Sequence, residues 1–329
     1  MNKTIRERII NILKRKLRRV FINKDIMVKP KEVLIEVTNV CNLKCPMCHT
    51  YRSSRPRGYM DISLYNRVID QVVDLDIRDV HLYTVGEPLL HKGIVDMVKI
   101  AKSNKRKVFI YTNGNLLDND IARNLIDAEL DNLVISLEGM DNSKYASIRR
   151  GGNFERAKDN ISYAKKYRDS ILGRTKIEIW STIMDEDSVY LNSFKNYWRN
   201  YADRIFFVHL ANQGGYIKGI TGKTIDPKLR QPCGTLWNSI IVLWNGQVSA
   251  CCVDFDGKMI MGNVYQTTLK EIWNGKKYLK YRKLHLEGKF HELSPCDVCD
   301  AGLVNINQQL KKLNEELVNI IPRTLRIND

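Results

Sequence analysis

The sequence lacks the features that take a chain into or across a membrane. Its 329 residues contain no run of 18 or more apolar residues, so no membrane-spanning helix is expected. Charged residues interrupt positions 3–19 throughout, which leaves no apolar core for a signal peptide. Internal repeats and low-complexity segments are also missing. We therefore expect a cytoplasmic protein, and a hydrophobic content of 43% is enough for one large domain and a smaller one.

Acidic residues are scarce near the N-terminus, where positions 1–30 hold ten Lys or Arg but only Glu7 and Asp25. This stretch carries +8 of the formal net charge of +16, an imbalance that favours acidic partners. Apolar residues at helical spacing predict an amphipathic helix over 4–21, within an N-terminal segment of residues 1–31. In one interpretation, this helix packs across the bottom of the main domain. In the other, it lies on an anionic membrane surface as a peripheral contact. No basic motif interleaved with aromatics is present, so no specific nucleic-acid partner is expected.

Strands and helices alternate from residue 32 onward. Apolar patterning predicts six strands, at 33–37, 80–84, 108–111, 133–137, 177–183 and 205–210, with helical segments between them. This α/β alternation predicts a parallel sheet, in the form of a partial (β/α)6 TIM-like barrel over residues 32–212. Turn signals at Asn245-Gly246 and Asp256-Gly257 predict hairpins in a small C-terminal domain over residues 213–302. Residues 303–329 are predicted to form a C-terminal helix and tail.

Cysteine is used unevenly, with three of the eight within 41–48 and the others within 233–299. In a reducing cytosol, metal ligands or catalytic thiols are favoured over disulfides. Cys41, Cys45 and Cys48 have the spacing C-x3-C-x2-C on the loop after the first strand, at the sheet edge where active sites lie. Three thiolates can converge on a metal centre and would leave one iron of a 4Fe–4S cluster free for a small molecule. The alternative is zinc, which needs a fourth ligand, and His49 directly follows Cys48 and is poorly separated for that role.

A second group of cysteines can supply a complete ligand set. Cys233, Cys251, Cys296 and Cys299 could fully ligate a 4Fe–4S cluster or a zinc ion, and the last two have the Cys-x2-Cys spacing of metal-binding knuckles. Cys252 directly follows Cys251. As a free thiol facing a substrate, Cys252 could donate a hydrogen atom to a carbon radical, whereas in a buried position it is only a small apolar side chain.

Together with neighbouring motifs, the first cysteine loop resembles that of the radical S-adenosylmethionine (SAM) superfamily. Gly86-Glu87-Pro88 follows the second strand and is similar to a family element that contacts the SAM amino group, although Val85 replaces the usual first glycine. Thr112-Asn113 and 136–138 end the third and fourth strands and resemble family elements near SAM. The resemblance implies Cys41, Cys45 and Cys48 as ligands of a SAM-binding 4Fe–4S cluster. It also implies a set of SAM-binding residues, which comprises Gly86, Glu87, Pro88, Thr112, Asn113, Ser136 and Glu138.

The C-terminal region resembles the SPASM/twitch domains appended to many such enzymes, with Cys251-Cys252, Gly262-Asn263 and Trp273-Asn274 among the matching elements. A full SPASM domain holds two auxiliary clusters and needs more cysteines than this chain offers. The resemblance therefore implies a small iron–sulfur domain with one auxiliary 4Fe–4S cluster, whose ligands are Cys233, Cys251, Cys296 and Cys299. The arrangement is most similar to that of single-cluster members that oxidise an aminocyclitol alcohol.

The resemblance implies a radical SAM oxidoreductase supplied with electrons by a donor such as flavodoxin or ferredoxin. Its 5′-deoxyadenosyl radical would oxidise a C–H or alcohol position of a sugar, cyclitol or related small molecule, phosphorylated and lipid-linked ones included. Three alternatives stay open: an epimerase with Cys252 as catalytic hydrogen-atom donor, a maturase that modifies a peptide, and a non-enzymatic basic metal or nucleic-acid-binding protein. Only 31 residues precede Glu32, which leaves no room for the precursor-recognition domain of similar peptide maturases. The non-enzymatic alternative has little beyond the net charge in its favour.

Overall fold

The computed structural model describes residues 28–184, 186–217, 230 and 232–300. The predicted N-terminal helix over 4–21 and the predicted C-terminal helix after residue 303 concern residues outside these ranges. Within these ranges, no helix is both long enough and apolar enough to span a membrane.

In the described residues, one sheet contains all the strands. They run over Glu32–Ile35 (β1), Asp79–Leu82 (β2), Lys107–Thr112 (β3), Asn132–Ser136 (β4), Lys176–Ile183 (β5), Arg204–His209 (β6), Ser239–Val242 (β7), Gln247–Ser249 (β8) and Ile260–Asn263 (β9). The order across the sheet is β6-β5-β4-β3-β2-β1-β7-β8-β9. The six predicted strands are confirmed, each within two residues at either end, and they pair in parallel. Because β6 lies at an edge of the sheet, the barrel is partial and open, as predicted.

Helices follow most of the parallel strands, and they begin at residues suited to that position. They run over Ile62–Asp74 (α1), Ile94–Ser103 (α2), Asn119–Asp127 (α3), Asn142–Ile148 (α4), Phe154–Ser170 (α5), Ser188–Trp198 (α6), Thr235–Asn238 (α7), Leu269–Trp273 (α8) and Lys276–Glu287 (α9). In five of them an Asp or Asn side chain accepts a backbone N–H of the first turn, namely Asp61, Asp118, Asp141, Asn153 and Asp187. These caps fix where each helix leaves the loop at the rim of the sheet.

The two faces of the sheet pack differently. Because successive side chains on a strand point to opposite faces, Val33 and Ile35 of β1 pack against the helices in the main core. Leu34 lies on the opposite face with Ile241 and Leu243, in a small separate set of buried side chains that we call the inner cluster. The face that carries the inner cluster lines the interior of the open barrel, where folds of this kind bind ligands.

The C-terminal region continues the sheet of the barrel. β7 pairs with β1 in parallel, with Val33 opposite Ile240, and β8 and β9 extend the sheet through antiparallel pairing. The hairpin predicted at Asn245-Gly246 joins β7 and β8. Residues of the predicted ranges 32–212 and 213–302 therefore share one sheet, and the second cysteine group lies beside the strand that leads into the first.

Candidate active site and cluster sites

The first cysteine group lies on the loop that follows β1. Cys45 is buried, and Cys41 and Cys48 are half-buried. The Cys48 amide donates to the Cys45 carbonyl at 3.0 Å, and the Cys41 sulfur accepts from the Leu43 amide at 3.4 Å, so the loop turns back on itself. All three cysteines pack in one small apolar cluster with Leu43 and Met47. The loop therefore gathers the three thiols in one place.

The three thiols suit a metal cluster chemically. Burial raises the pKa of Cys41 to about 12, and the nearby thiols of Cys45 and Cys48 add to the shift. Burial likewise raises the pKa of Cys45. Three thiolates this close repel one another in the absence of a cation, and bound iron offsets that repulsion. The set fits three irons of a 4Fe–4S cluster and leaves the fourth iron open.

A buried carboxylate links the ends of β2 and β3 beside this loop. Glu87 is 2% exposed, and it accepts hydrogen bonds from the Thr112 hydroxyl at 2.6 Å, the Asn113 amide at 2.8 Å and the Leu89 amide at 3.1 Å. The Asn113 side chain in turn donates to the Asn42 side chain, within the cysteine loop, at 2.8 Å. Both Glu87 oxygens thus hold the rim together internally, and a contact between Glu87 and the SAM amino group stays a prediction.

Gly86 allows this rim to approach the cysteine loop closely. Its φ is +85°, and a Cβ atom at this position would lie 2.3 Å from the Thr38 carbonyl oxygen. The next amide, that of Glu87, donates to the Val40 carbonyl at 2.8 Å, directly before the first cysteine. Pro88 then opens a short 3-10 helix. The close approach of the backbone therefore requires a glycine at this position, whether or not a ligand binds there.

The remaining predicted SAM-binding residues lie at the end of β4. Ser136 is half-buried, and Glu138 is 2% exposed. The Arg149 guanidinium donates to both Glu138 oxygens, at 2.5 and 2.9 Å, and it also contacts the Cys45 thiol. The pairing of Arg149 with Glu138 was not predicted, because an acid and a base separated by 11 positions give no signal from spacing alone. All seven predicted residues lie on the rim around the cysteine loop, and their individual contacts to SAM stay predictions.

Three predicted ligands of the second group lie together. Burial raises the pKa of Cys296 to about 12, and the nearby thiols of Cys233 and Cys299 add to the shift. The Cys299 amide donates to the Cys296 carbonyl at 3.3 Å, which forms the turn expected of a metal-binding knuckle. The Cys233 amide donates to Nδ1 of the buried His285 at 3.2 Å, and Arg230 donates to the Cys296 carbonyl. This donor set also fits an iron–sulfur cluster.

Cys251 and Cys252 pack against different apolar clusters. Cys251 packs against the main core, to which Cys296 also belongs. Cys252 packs against the inner cluster, together with Tyr83. The two thiols are in hydrogen-bond contact with each other, and both are half-buried. Cys251 thus lies near Cys233, another predicted ligand, while Cys252 also contacts the inner cluster at the barrel interior.

Neither cysteine group has the geometry of a single-ion site. In the parts of the chain that the structure describes, no three His, Cys, Asp or Glu side chains converge closely enough to hold one metal ion. The cysteine ligands of an iron–sulfur cluster bind separate iron atoms and need no such convergence.

A row of aromatic side chains lines the inner face next to Cys252. The ring centroids of Tyr83 and Tyr111 are 4.1 Å apart, those of Tyr111 and Trp180 5.6 Å, and those of Trp180 and Phe206 5.4 Å. Each ring is partly exposed. These residues were not predicted, although the alternation within β3 and β5 is a signal that could have found them, because their neighbours in sequence pack in the main core.

A buried ion pair connects the first cysteine loop to the second cysteine region. Arg55 donates to both oxygens of the fully buried Glu36, at 3.0 and 2.5 Å. The Arg55 Nε also donates to the Phe255 carbonyl at 2.9 Å. Phe255 lies three positions after Cys252. The two cysteine regions are therefore fixed to one another through the end of β1.

Two family models match the chain in these regions. The model of the radical SAM superfamily matches residues 35–180, which contain the first cysteine group and all seven rim residues. The model of an iron–sulfur cluster-binding domain, SPASM, matches residues 233–300, which contain the second group.

Individual proteins are similar over most of the chain. The S-adenosyl-L-methionine-dependent 2-deoxy-scyllo-inosamine dehydrogenase of Niallia circulans is 25% identical over 279 residues, which cover 84% of this chain and 94% of that protein. The crystal structure of BtrN in complex with AdoMet and 2-DOIA matches with a TM-score of 0.59 at 21% identity, and covers 83% of this chain and 94% of that one. The structure of Streptococcus suis SuiB bound to precursor peptide SuiA matches with a TM-score of 0.68 at 17% identity, and covers 93% and 78%. The two structural matches show a shared fold.

Proposed function

Because the chain belongs to the radical SAM superfamily and carries a SPASM-type iron–sulfur domain, we propose that it oxidises an alcohol of a cyclitol, sugar or related small molecule to a carbonyl. It is an enzyme whose cofactors are SAM, a SAM-binding 4Fe–4S cluster and an auxiliary iron–sulfur cluster. The proposal concerns the substrate class and the outcome of the reaction. The ligands proposed for the first cluster are Cys41, Cys45 and Cys48, and those for the second are Cys233, Cys251, Cys296 and Cys299.

When bound, the first cluster and SAM supply a 5′-deoxyadenosyl radical that removes a hydrogen atom from a C–H bond. The protein residues position and shield the reacting groups. Glu87 ties the ends of β2 and β3 to the cysteine loop through buried hydrogen bonds, and the Arg149–Glu138 pair fixes the end of β4 beside Cys45. The apolar packing around Cys45 keeps water from the first thiols.

The observation that carries the proposal is the position of Cys252 at the barrel interior, next to the predicted ligand Cys251. An alcohol that becomes a carbonyl gives up two electrons and two protons. Removal of one hydrogen atom from carbon leaves a proton and an electron, and the electron needs an acceptor close to the substrate. The second cysteine group, whose member Cys251 contacts Cys252 at this point, supports such an acceptor.

The aromatic row supports a ring-shaped polyol as substrate. Tyr83, Tyr111 and Trp180 present partly exposed ring faces and two phenol hydroxyls to the interior. Flat apolar faces that also carry hydroxyl groups suit a molecule with C–H faces and a polar edge. The similarity to a dehydrogenase of 2-deoxy-scyllo-inosamine over 84% of the chain also supports a cyclitol.

Epimerisation is a second candidate, and the same position of Cys252 favours it. A thiol at the barrel interior could return a hydrogen atom to the opposite face of a substrate carbon radical. The thiyl radical left behind would then need an electron and a proton to regenerate the thiol. The two candidates thus predict different products from the same starting alcohol.

Deuterium labelling separates the two candidates. The reconstituted enzyme would be incubated anaerobically in deuterated water with SAM, dithionite and 2-deoxy-scyllo-inosamine, followed by a panel of other cyclitols and amino sugars. Oxidation predicts a carbonyl product two mass units lighter, with no solvent deuterium at the reacting carbon. Solvent deuterium at that carbon in the wild type, lost in the Cys252→Ala variant, would instead establish epimerisation.

A further inference from the structure

An exposed basic surface borders the first cysteine group. The sequence between Glu36 and Asp61 has no acidic residue, and it holds four cations, namely Lys44, Arg52, Arg55 and Arg57. Glu36 neutralises only Arg55, in the buried ion pair described above. The other three cations are exposed and lie within nine residues of a cysteine of this group.

A fourth exposed cation joins this surface from the turn after α4. The Lys44 amide donates to the Arg150 carbonyl at 2.8 Å, which fixes the turn against the cysteine loop. Lys44, Tyr51 and Arg150 line one cavity of about 360 Å³, together with Asn42 and Gly151. We call Lys44, Arg52, Arg57 and Arg150 the basic surface.

The other two members of the basic surface lie beside residues of this cavity. The Arg52 guanidinium carbon lies 4.6 Å from the centroid of the Tyr51 ring. Arg57 donates to the Thr50 carbonyl at 2.6 Å, next to Tyr51. Arg52 and Arg57 therefore both lie close to Tyr51, a residue that lines the cavity.

The four charges are not neutralised by the residues that the structure describes. The ion pairs nearby use Arg55 with Glu36 and Arg149 with Glu138. No described acid forms a salt bridge with a member of the basic surface. Exposed like charges gathered without counterions cost stability through repulsion, and they steer a partner of opposite charge.

We propose that the basic surface docks a small acidic electron-transfer protein that reduces the first cluster. Radical SAM chemistry requires an electron at that cluster, and Cys41 and Cys48 are half-buried beneath this loop, so an electron entering here crosses little protein. Encounters between redox proteins are transient and need only a small interface. Nucleic acid or an anionic lipid surface would meet the same charges, but neither would use the position of the charges over the cysteines.

Charge reversal tests the proposal with a flavodoxin as the probe. The Arg52→Glu/Arg150→Glu variant is compared with Arg78→Glu/Arg174→Glu, which changes the net charge equally at exposed positions before β2 and β5, at the opposite edge of the sheet. The initial rate of 5′-deoxyadenosine formation is measured with reduced flavodoxin over a range of concentrations, and separately with dithionite, which needs no docking surface. Binding of flavodoxin to each reconstituted protein without SAM is measured at low and high ionic strength.

The first variant is expected to raise the half-saturating flavodoxin concentration and the dissociation constant by about tenfold at low ionic strength, and less at high ionic strength. Its dithionite-driven rate and iron content should match those of the wild type, and the second variant should resemble the wild type in every measurement. Unchanged flavodoxin binding in the first variant would overturn the proposal, and so would an equal loss in both variants. Binding of single-stranded RNA or anionic vesicles that the first variant alone loses, with flavodoxin unaffected, would overturn it as well.

Discussion

Cys252 and Tyr83 lie together on the inner face of the sheet, packed against the same inner cluster. Burial raises the pKa of the Tyr83 phenol, and the nearby Cys252 thiol raises it further. The contact joins a residue of the second cysteine region to the end of β2, which also carries the Gly86-Glu87-Pro88 motif. The rim around the first cysteine loop and Cys252 thus border one interior space. That shared space is the structural basis of the proposed oxidation.

Substitution of Gly86 by alanine should disrupt the rim. The added Cβ would meet the Thr38 carbonyl at 2.3 Å, in a residue whose φ is +85°. We expect Gly86→Ala to lower the free energy of unfolding by about 3–5 kcal/mol, from the clash together with the backbone strain. Gly288→Ala is the matched control, because Gly288 has φ +75° with open space around it, and it should cost only about 1–2 kcal/mol. Urea unfolding of both variants checks this, and equal costs would refute the steric account.

Removal of Arg149 should leave an uncompensated buried charge on Glu138. We expect Arg149→Ala to lower the free energy of unfolding by about 3–5 kcal/mol, because removal of one partner of a buried ion pair leaves the other charge buried without a counterion. The adjacent Arg150→Ala should change it by less than about 0.5 kcal/mol, because Arg150 is exposed. A second substitution, Glu138→Gln, in the Arg149→Ala background should recover part of the loss. The same urea titrations measure this, and a small effect of Arg149→Ala would contradict the role given to the pair.

Protonation of Asp203 in acid should lower the free energy of unfolding. Burial alone favours the protonated acid, yet hydrogen bonds from Arg168 and from the Ile177 amide, each at 2.8 Å, hold the pKa of Asp203 at about 2. A carboxyl group with a lowered pKa stabilises the folded state above its unfolded pKa, and this stabilisation is lost as the pH falls from about 4 to about 2. We expect Asp203→Asn to lose about 2 kcal/mol at neutral pH and to converge with the wild type in acid. Asp159→Asn, at an exposed position of α5, is the control, and a difference from the wild type that does not vary with pH would contradict the assignment.

Much of the fold follows from local patterns in the sequence. The apolar runs predict β1 to β6 within two residues, and the first cysteine spacing after β1 predicts where the first group lies. Local patterns succeed here because a strand buried on both faces needs an apolar residue at nearly every position, as in Leu133 to Ile135 of β4.

Contacts between distant parts of the chain could not be predicted in this way. β7 pairs with β1 across more than 200 positions, and no periodicity records that pairing. The burial of Glu87 depends on the Asn113 amide and the Thr112 hydroxyl, which belong to another strand end. The different packing of Cys251 and Cys252 is likewise a property of the assembled sheet, since the sequence presents them as equivalent neighbours.

The central claim is that the second cysteine group accepts the electron that completes substrate oxidation. Its most direct test is a Cys251→Ala/Cys296→Ala variant, assayed with a substrate from which the wild type forms a carbonyl. The wild type and the control Cys252→Ala should contain about eight iron atoms per chain, and the double variant about four. We predict that the double variant still forms 5′-deoxyadenosine but yields no carbonyl product. Carbonyl formation at the wild-type rate in the double variant, with only about four iron atoms per chain, would contradict the claim.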